Sequence, residues 1–207
     1  MSQPFTRLTA VAVPYDAINV DTDQIVPARF IKTSRAEGYG KFLFHDLRYR
    51  DDGSENPDFV LNREPYRRAK ILVGNANFGC GSSREGAVYA FADYGFASII
   101  ASGFGDIFHN NCFKNGVLPV RLEGEVCDRL RGLLKARPGA ELSVDLVEQV
   151  VIEPEGARHG FSVDAFWREL LLNGVDELEL TLGHLPRIEA FERAYAAEAP
   201  WIVRSPE

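Results

Sequence analysis

No apolar run in this sequence approaches the roughly 20 residues that a membrane-spanning helix needs, and its opening residues, MSQPFTRLTA, lack the charged and apolar regions of a secretory signal. Both absences point to a soluble chain, with the cytoplasm as its expected compartment. Cysteine is scarce: Cys80, Cys112 and Cys127 are odd in number and irregularly spaced, so they read as thiols in a reducing compartment rather than as a disulfide framework. Positive charge is outweighed, with 23 Lys and Arg against 30 Asp and Glu and a net charge of −7. That balance disfavours a general nucleic-acid surface, and a small anion would have to be held by local basic groups. Internal repeats and low-complexity linkers are missing too. With 207 residues, 45% of them hydrophobic, the chain can bury a substantial core and is expected to form one domain with no internal boundary.

What is present centres on Asn75 to Tyr94, NANFGCGSSREGAVYAFADY. It follows a short apolar run, Ile71-Leu72-Val73, and leads into apolar positions at helical spacing, Ala87, Ala90, Phe91 and Tyr94, so it predicts a strand, a glycine-rich turn and a helix start. Gly79 and Gly81 open backbone angles closed to other residues and let main-chain N–H groups converge. Ser82, Ser83 and Arg84 then fall on or beside a helix N-terminus, where free N–H groups and the helix dipole favour an anion.

In chain order, Leu8 to Val13 reads as a strand closed by Pro14, and Asp16 to Gln24 as a polar turn-rich loop leading into Ile25-Val26-Pro27 and Phe30 to Thr33. Residues 34 to 68 predict short helices and loops packed through Phe42, Leu43, Phe44 and Leu47. Beyond the central turn come a strand from Phe96 to Ala101, a helix with Phe104, Ile107, Phe108 and Cys112 on one face, and a strand from Val117 to Leu122. The alternation argues for an α/β core with a partly parallel sheet. Further on, Val126, Leu130, Leu133 and Leu134 give a helix ended by Pro138-Gly139, and Glu141 to Leu146 with Gln149 to Ile152 a hairpin. Val163, Phe166, Trp167 and Leu170 predict a helix stopped at Gly174. Leu178 to Leu182 reads as a strand or turn, and Ile188, Phe191 and Tyr195 mark a last helix before a tail ending in Pro206-Glu207.

Familiar motifs fail at the central turn. Gly79-Cys-Gly81-Ser-Ser-Arg84 puts a bulky cation where a dinucleotide fingerprint needs its third glycine, and Gly103-Phe-Gly105-Asp-Ile-Phe108 fails at the same place. A phosphate loop's Gly-Lys-Ser/Thr is absent, and Glu85 stands where a hydrolase elbow would need glycine after Ser83. Ser82 and Glu85 also form S-x-x-E, which a plain capping box would explain. Two serines followed by arginine exceed what a cap requires.

The segment Asn77 to Glu85, N-F-G-C-G-S-S-R-E, resembles the small subunit of 3-isopropylmalate dehydratase, the leucine-pathway isomerase related to aconitase. Further matches run through nearly the whole chain: Asn19 to Pro27, Leu43 to Arg48, Pro57 to Asn62, Ala92 to Phe96, Phe104 to Asn111, Leu118-Pro119 and Leu172-Asn-Gly174. The resemblance implies an α/β fold, a swivelling β/β/α three-layer domain like the C-terminal domain of aconitase, spanning 1–207 with a C-terminal helical extension. It implies a large-subunit partner carrying a [4Fe–4S] cluster, with no cofactor in this chain. The three cysteines agree in lacking the clustered spacing of an iron–sulfur site. Cys80 reads as a packing residue of the turn, and Cys112 and Cys127 as apolar helix-face residues.

By analogy with aconitase, the resemblance makes Ser82 the base that takes a carbon-bound proton and Arg84 the clamp on a substrate carboxylate. Ser83 and Gly81 would support the turn or add hydrogen bonds. Asp21, Thr22 and Asp23 would lie near the substrate, although D-x-D in a polar loop is also ordinary turn chemistry. In related enzymes the segment matching Phe30-Ile31-Lys32-Thr33 reads the variable arm: an apolar Phe30-Ile31 suits an isopropyl group, whereas an inward Lys32 suits another carboxylate. His45, His109, His159 and His184 are scattered and read as structural or surface residues.

One departure stands out. After Ser-Ser-Arg-Glu most members have histidine, where this chain has Gly86 followed by Ala87-Val88-Tyr89, and a glycine there lowers helix propensity. It leaves the proposed base and clamp intact but puts fine specificity in question, and two rival readings stay open. One is a paralogue acting on another hydroxy acid, such as homoaconitate or a methylated malate or maleate. The other is a non-catalytic scaffold role. A free-standing serine hydrolase is a third, weaker idea that labelling of Ser82 by an activity-based probe would support.

Overall fold

The computed structural model describes residues 3–199 and Trp201, so the tail ending in Pro206-Glu207 lies outside the described residues. A seven-stranded mixed sheet runs β4-β3-β2-β1-β5-β6-β7, with β1 (Arg7–Pro14) at its centre. The two ends of β1 serve different neighbours. Ala12 to Pro14 pair in parallel with β2 (Ile71–Val73), which continues through β3 (Ser98–Ala101) to β4 (Leu118–Arg121). Arg7 to Val11 pair antiparallel with β5 (Glu141–Asp145), which carries β6 (Val150–Ile152) and β7 (Arg158–Gly160).

The inner parallel strands are mostly apolar because both faces are covered: β2 and β3 are buried at every residue. One face packs Val13, Leu72 and Ile99 against Phe44, Phe78, Phe91 and Phe108. These aromatics include residues of helices α3 (Glu85–Tyr94) and α4 (Asp106–Lys114). The other face packs Ala12, Ile71, Val73 and Ile100 against Leu130 and Leu134 of α5 (Gly124–Ala136) and against Leu142, Val144 and Val151 of the hairpin. Short helices α1 (Thr22–Ile25) and α2 (His45–Arg48) lie in the long connection between β1 and β2. Helices α6 (Ala165–Asn173), α7 (Glu177–Gly183) and α8 (Leu185–Glu198) complete the described chain. Gly174 takes the left-handed conformation that ends α6, as the sequence predicts.

Several expectations are corrected. Leu178 to Leu182 is helical, because Asp176 and Glu179 form a capping box that starts α7 and so overrides the strand-like alternation. Leu47, Ile107 and Phe166 are exposed rather than packed. Ile107 lies one residue from Phe108, and a helix turns about 100° per residue, so the two cannot share the buried face. Strand β7 is an element that the sequence pattern does not announce.

Cys112 and Cys127 are buried in helix faces, as expected. Burial alone pushes the Cys112 thiol well up and is the main cause that takes Cys127 to about 11. Since the thiolate is the nucleophile, iodoacetamide at pH 8 should leave both unmodified in the native protein and label the half-buried Cys80 first. Peptide mapping before and after denaturation reads the difference.

Candidate active site

Three connections leave the carboxyl ends of β1, β2 and β3 and meet over the central turn, the usual place for a ligand in a parallel sheet. Gly79 and Cys80 donate their N–H groups to the Val20 carbonyl at 2.7 and 3.2 Å, and Thr22 N–H donates to Cys80 O at 2.9 Å. On the other side, Phe78 N–H donates to Gly103 O and Gly105 N–H to Phe78 O, both at 2.9 Å. The glycine-rich turn is thus a strand-like rib between two others, with parallel bridges Asp21 to Cys80 and Phe78 to Phe104.

Two glycines make that rib possible. At Gly79, φ is +72°, and a Cβ would lie 2.1 Å from Phe108 Cγ. At Gly105, a Cβ would lie 2.6 Å from the Gly79 carbonyl oxygen. Gly81, at φ +93°, sets the exit direction of the chain toward the serines.

Ser82 and Ser83 are exposed. What holds Ser82 is its backbone: its carbonyl accepts from Thr22 Oγ1 at 3.1 Å and from Arg84 N–H at 2.8 Å. Its predicted capping box with Glu85 does not form. Arg84 is the N-cap of α3 and makes no side-chain cap bond, while the Glu85 carboxylate accepts from Asn115 Nδ2 at 3.1 Å. The turn closed by Arg84 N–H keeps Ser82 two residues upstream of the cap. Gly86 does not prevent α3 from forming.

The Arg84 guanidinium is ion-paired with Asp23. The hydrogen bond from Arg84 holds the Asp23 carboxyl below its usual value, and the same bond raises the arginine. A depressed carboxylate adds stability above its unfolded-state value and loses it as pH falls through the lower folded value. This contribution is therefore intact at neutral pH and lost only on strong acidification. Asp23 is largely exposed, so Asp23→Asn should cost less than about 1 kcal/mol in denaturant unfolding.

The remaining predicted residues separate. Asp21 caps α1 by accepting from Gln24 N–H at 2.8 Å, and Thr22 is buried beneath the turn. Phe30 stacks on Phe42 at 4.2 Å with Arg29 over its ring, whereas Lys32 is exposed. Ile31, Ser83 and Arg84 share a cleft of about 230 Å³ beside the turn.

Sequence reasoning missed other residues of that cleft, chiefly Val26, Arg35, Tyr39 and Tyr89. Arg35 lies over the Tyr89 ring at 4.2 Å and donates to Asp93 and to Asn115 Oδ1, which fastens the 34–38 stretch to α3 and α4. No short-range pattern marks these residues, since Arg35 finds its partners 58 and 80 positions away. Another missed residue, Arg131, is buried away from that cleft's lining. Its guanidinium donates to the Gly74 carbonyl and pairs with Asp128 and Asp16, tying α5 to the ends of β1 and β2. Among the described residues, no group of three or more His, Cys, Asp or Glu could hold a metal ion.

A mixed sheet with a serine-arginine turn at its parallel carboxyl edge defines a class: residues 2–125 match the aconitase C-terminal domain. Residues 128–165 match the LeuD_N model, and residues 180–205 match the C-terminal domain of the 3-isopropylmalate dehydratase small subunit. The chain belongs to the family of 3-isopropylmalate dehydratase small subunits. It is 52% identical to the member from Granulibacter bethesdensis, over 97% of this chain and 96% of that one. It is 50% identical to the member from Gluconacetobacter diazotrophicus, over 98% of each. The solved 3-isopropylmalate dehydratase of Methanocaldococcus jannaschii shares the fold, with a TM-score of 0.65 at 22% identity over 89% of this chain and 99% of that one.

Proposed function

We propose that this chain is the small subunit of a 3-isopropylmalate dehydratase, interconverting 2-isopropylmalate and 3-isopropylmalate by loss and re-addition of water in leucine biosynthesis. In this reading it acts in the cytoplasm as a single swivelling domain with a C-terminal helical extension, closed over the active site of a large subunit. The observation that carries the reading is the Ser82-Ser83-Arg84 turn, held by its backbone with both serines exposed and with Ser83 and Arg84 lining a cleft that has an apolar wall.

Ser82 Oγ is the base that receives the proton from the carbon next to the hydroxyl-bearing one, and it returns that proton on rehydration. A serine hydroxyl is a poor base, so its oxyanion needs fixed donors and nearby cations; losing one such donor typically costs about 10²–10³ in rate. Arg84 is the nearest cation in sequence, and Asp23 keeps its guanidinium oriented until a substrate carboxylate takes its place. Ser83 and the Gly81 backbone complete the anion site, while Asp21 and Thr22 hold the turn from below. Ile31 faces the isopropyl arm; Phe30 supports that wall from behind, and exposed Lys32 lies where it can meet a carboxylate at the rim. An iron–sulfur cluster on the large subunit would supply the Lewis acid for the departing hydroxyl.

Arginine pairs bidentately with carboxylates and lysine does not. Arg84→Lys should therefore lower kcat/KM about 10- to 100-fold while leaving the charge in place. The whole reading is tested by anaerobic reconstitution with an iron–sulfur large subunit, following the ultraviolet absorbance of the unsaturated intermediate from 2-isopropylmalate. Turnover that requires both chains supports it. A stable complex that turns over only another hydroxy acid would reassign the substrate.

A further inference from the structure

Two residues that line the cleft, Tyr39 and Gly86, have no role above. Tyr39 is 3% exposed, and its hydroxyl donates to the Phe30 carbonyl at 2.9 Å. Its ring stands edge-on to Phe42 and Tyr89, and its backbone N–H donates to Asp93 Oδ2 at 3.1 Å. The residue is therefore rigid with respect to α3. The Phe30 carbonyl it grips belongs to the turn that carries Ile31 and Thr33 along the cleft, a turn otherwise closed by single backbone bonds such as Thr33 N–H to Phe30 O at 3.0 Å. Opposite the ring stands Gly86. A Cβ there would lie 3.1 Å from Tyr39 Cε1 and 3.3 Å from its hydroxyl oxygen, so the ring would have to shift by a few tenths of an ångström to admit it.

Resting on the function proposed above, we propose that Tyr39 is a positioning residue that sets selectivity for the substrate's alkyl arm. Its hydroxyl fixes the Ile31 wall, and its ring, seated against Gly86, sets the depth of the cleft beside Ser83 and Arg84. The chemistry recognised is a branched aliphatic substituent on a hydroxy dicarboxylate: the hydroxyl of Tyr39 is spent on Phe30, so the ring offers the arm only carbon.

The test compares wild type, Tyr39→Phe and Gly86→Ala, each reconstituted with the same large subunit, on 2-isopropylmalate and on 2-methylmalate. One hydrogen bond to a backbone carbonyl corresponds to a change of about three- to tenfold. Tyr39→Phe should raise KM for 2-isopropylmalate by that factor with kcat within about twofold. Both variants should lower the preference for the isopropyl over the methyl arm. Variants that weaken both substrates alike, or leave the preference unchanged, would overturn the proposal. A second readout needs no turnover: hydrogen exchange of the free small subunit should quicken across residues 28–35 in Tyr39→Phe and stay unchanged in β1 to β3. Unchanged exchange in 28–35 overturns the anchoring. Failure of wild type itself on 2-isopropylmalate would instead count against the function assigned above.

Discussion

Ser82→Ala should lower kcat of the reconstituted enzyme on 2-isopropylmalate by about 10²–10⁴, the range for a positioned acid–base group, and leave folding untouched. The separation is expected because the chain uses this residue structurally through its main chain. The Ser82 carbonyl accepts from Thr22 and from Arg84 N–H, and alanine keeps both bonds. The side chain is exposed, so stability should change by no more than about 0.5 kcal/mol. Steady-state kinetics beside a thermal melt and a gel-filtration assay of the complex distinguish chemistry from assembly. Turnover within threefold of wild type would remove Ser82 from the reaction and favour the scaffold reading.

Gly79→Ala should have the largest effect on stability. The residue sits at φ +72° and its added Cβ would fall 2.1 Å from Phe108 Cγ, inside the buried aromatic group that includes Phe78 and Phe91. The left-handed backbone costs about 1–2 kcal/mol and the overpacking about 1–3 kcal/mol. For a chain of this size the sum corresponds to a fall in Tm of roughly 4–20 °C. Gly132→Ala is the matched control. That glycine is exposed within α5, with no atom within 4 Å of the new Cβ, and the change should stabilise by about 0.5–1 kcal/mol. Equal melting temperatures for the two variants would mean that the turn relaxes away from Phe108 and that the close approach is not required.

The sequence on its own determined what depends on neighbours along the chain. Burial on both faces writes itself as the apolar runs of β2 and β3, and helical spacing as Phe108 with Cys112 in α4 and Leu130 with Leu134 in α5. Gly79, Gly81 and the two serines announce a turn because their backbone angles and hydrogen-bonding groups are local properties. Where two local signals compete, the pattern misleads. In α7 the alternation of Leu178, Leu180 and Leu182 suggests a strand, and the Asp176 and Glu179 capping box decides for helix. At Ser82 the S-x-x-E pattern suggests a cap, and a turn bond two residues upstream removes it.

Only the tertiary structure decided which residues surround the serines. Asp23 reaches Arg84 across 61 positions, and Arg35 reaches Asn115 across 80. Tyr39 meets Gly86 only because the long β1 to β2 connection folds back over α3. Such contacts leave no periodic trace, because a side chain's partner across a fold is set by how whole elements pack and not by its spacing in sequence. The serine-arginine turn was therefore legible as a string of residues, while the cleft beside it exists only in three dimensions.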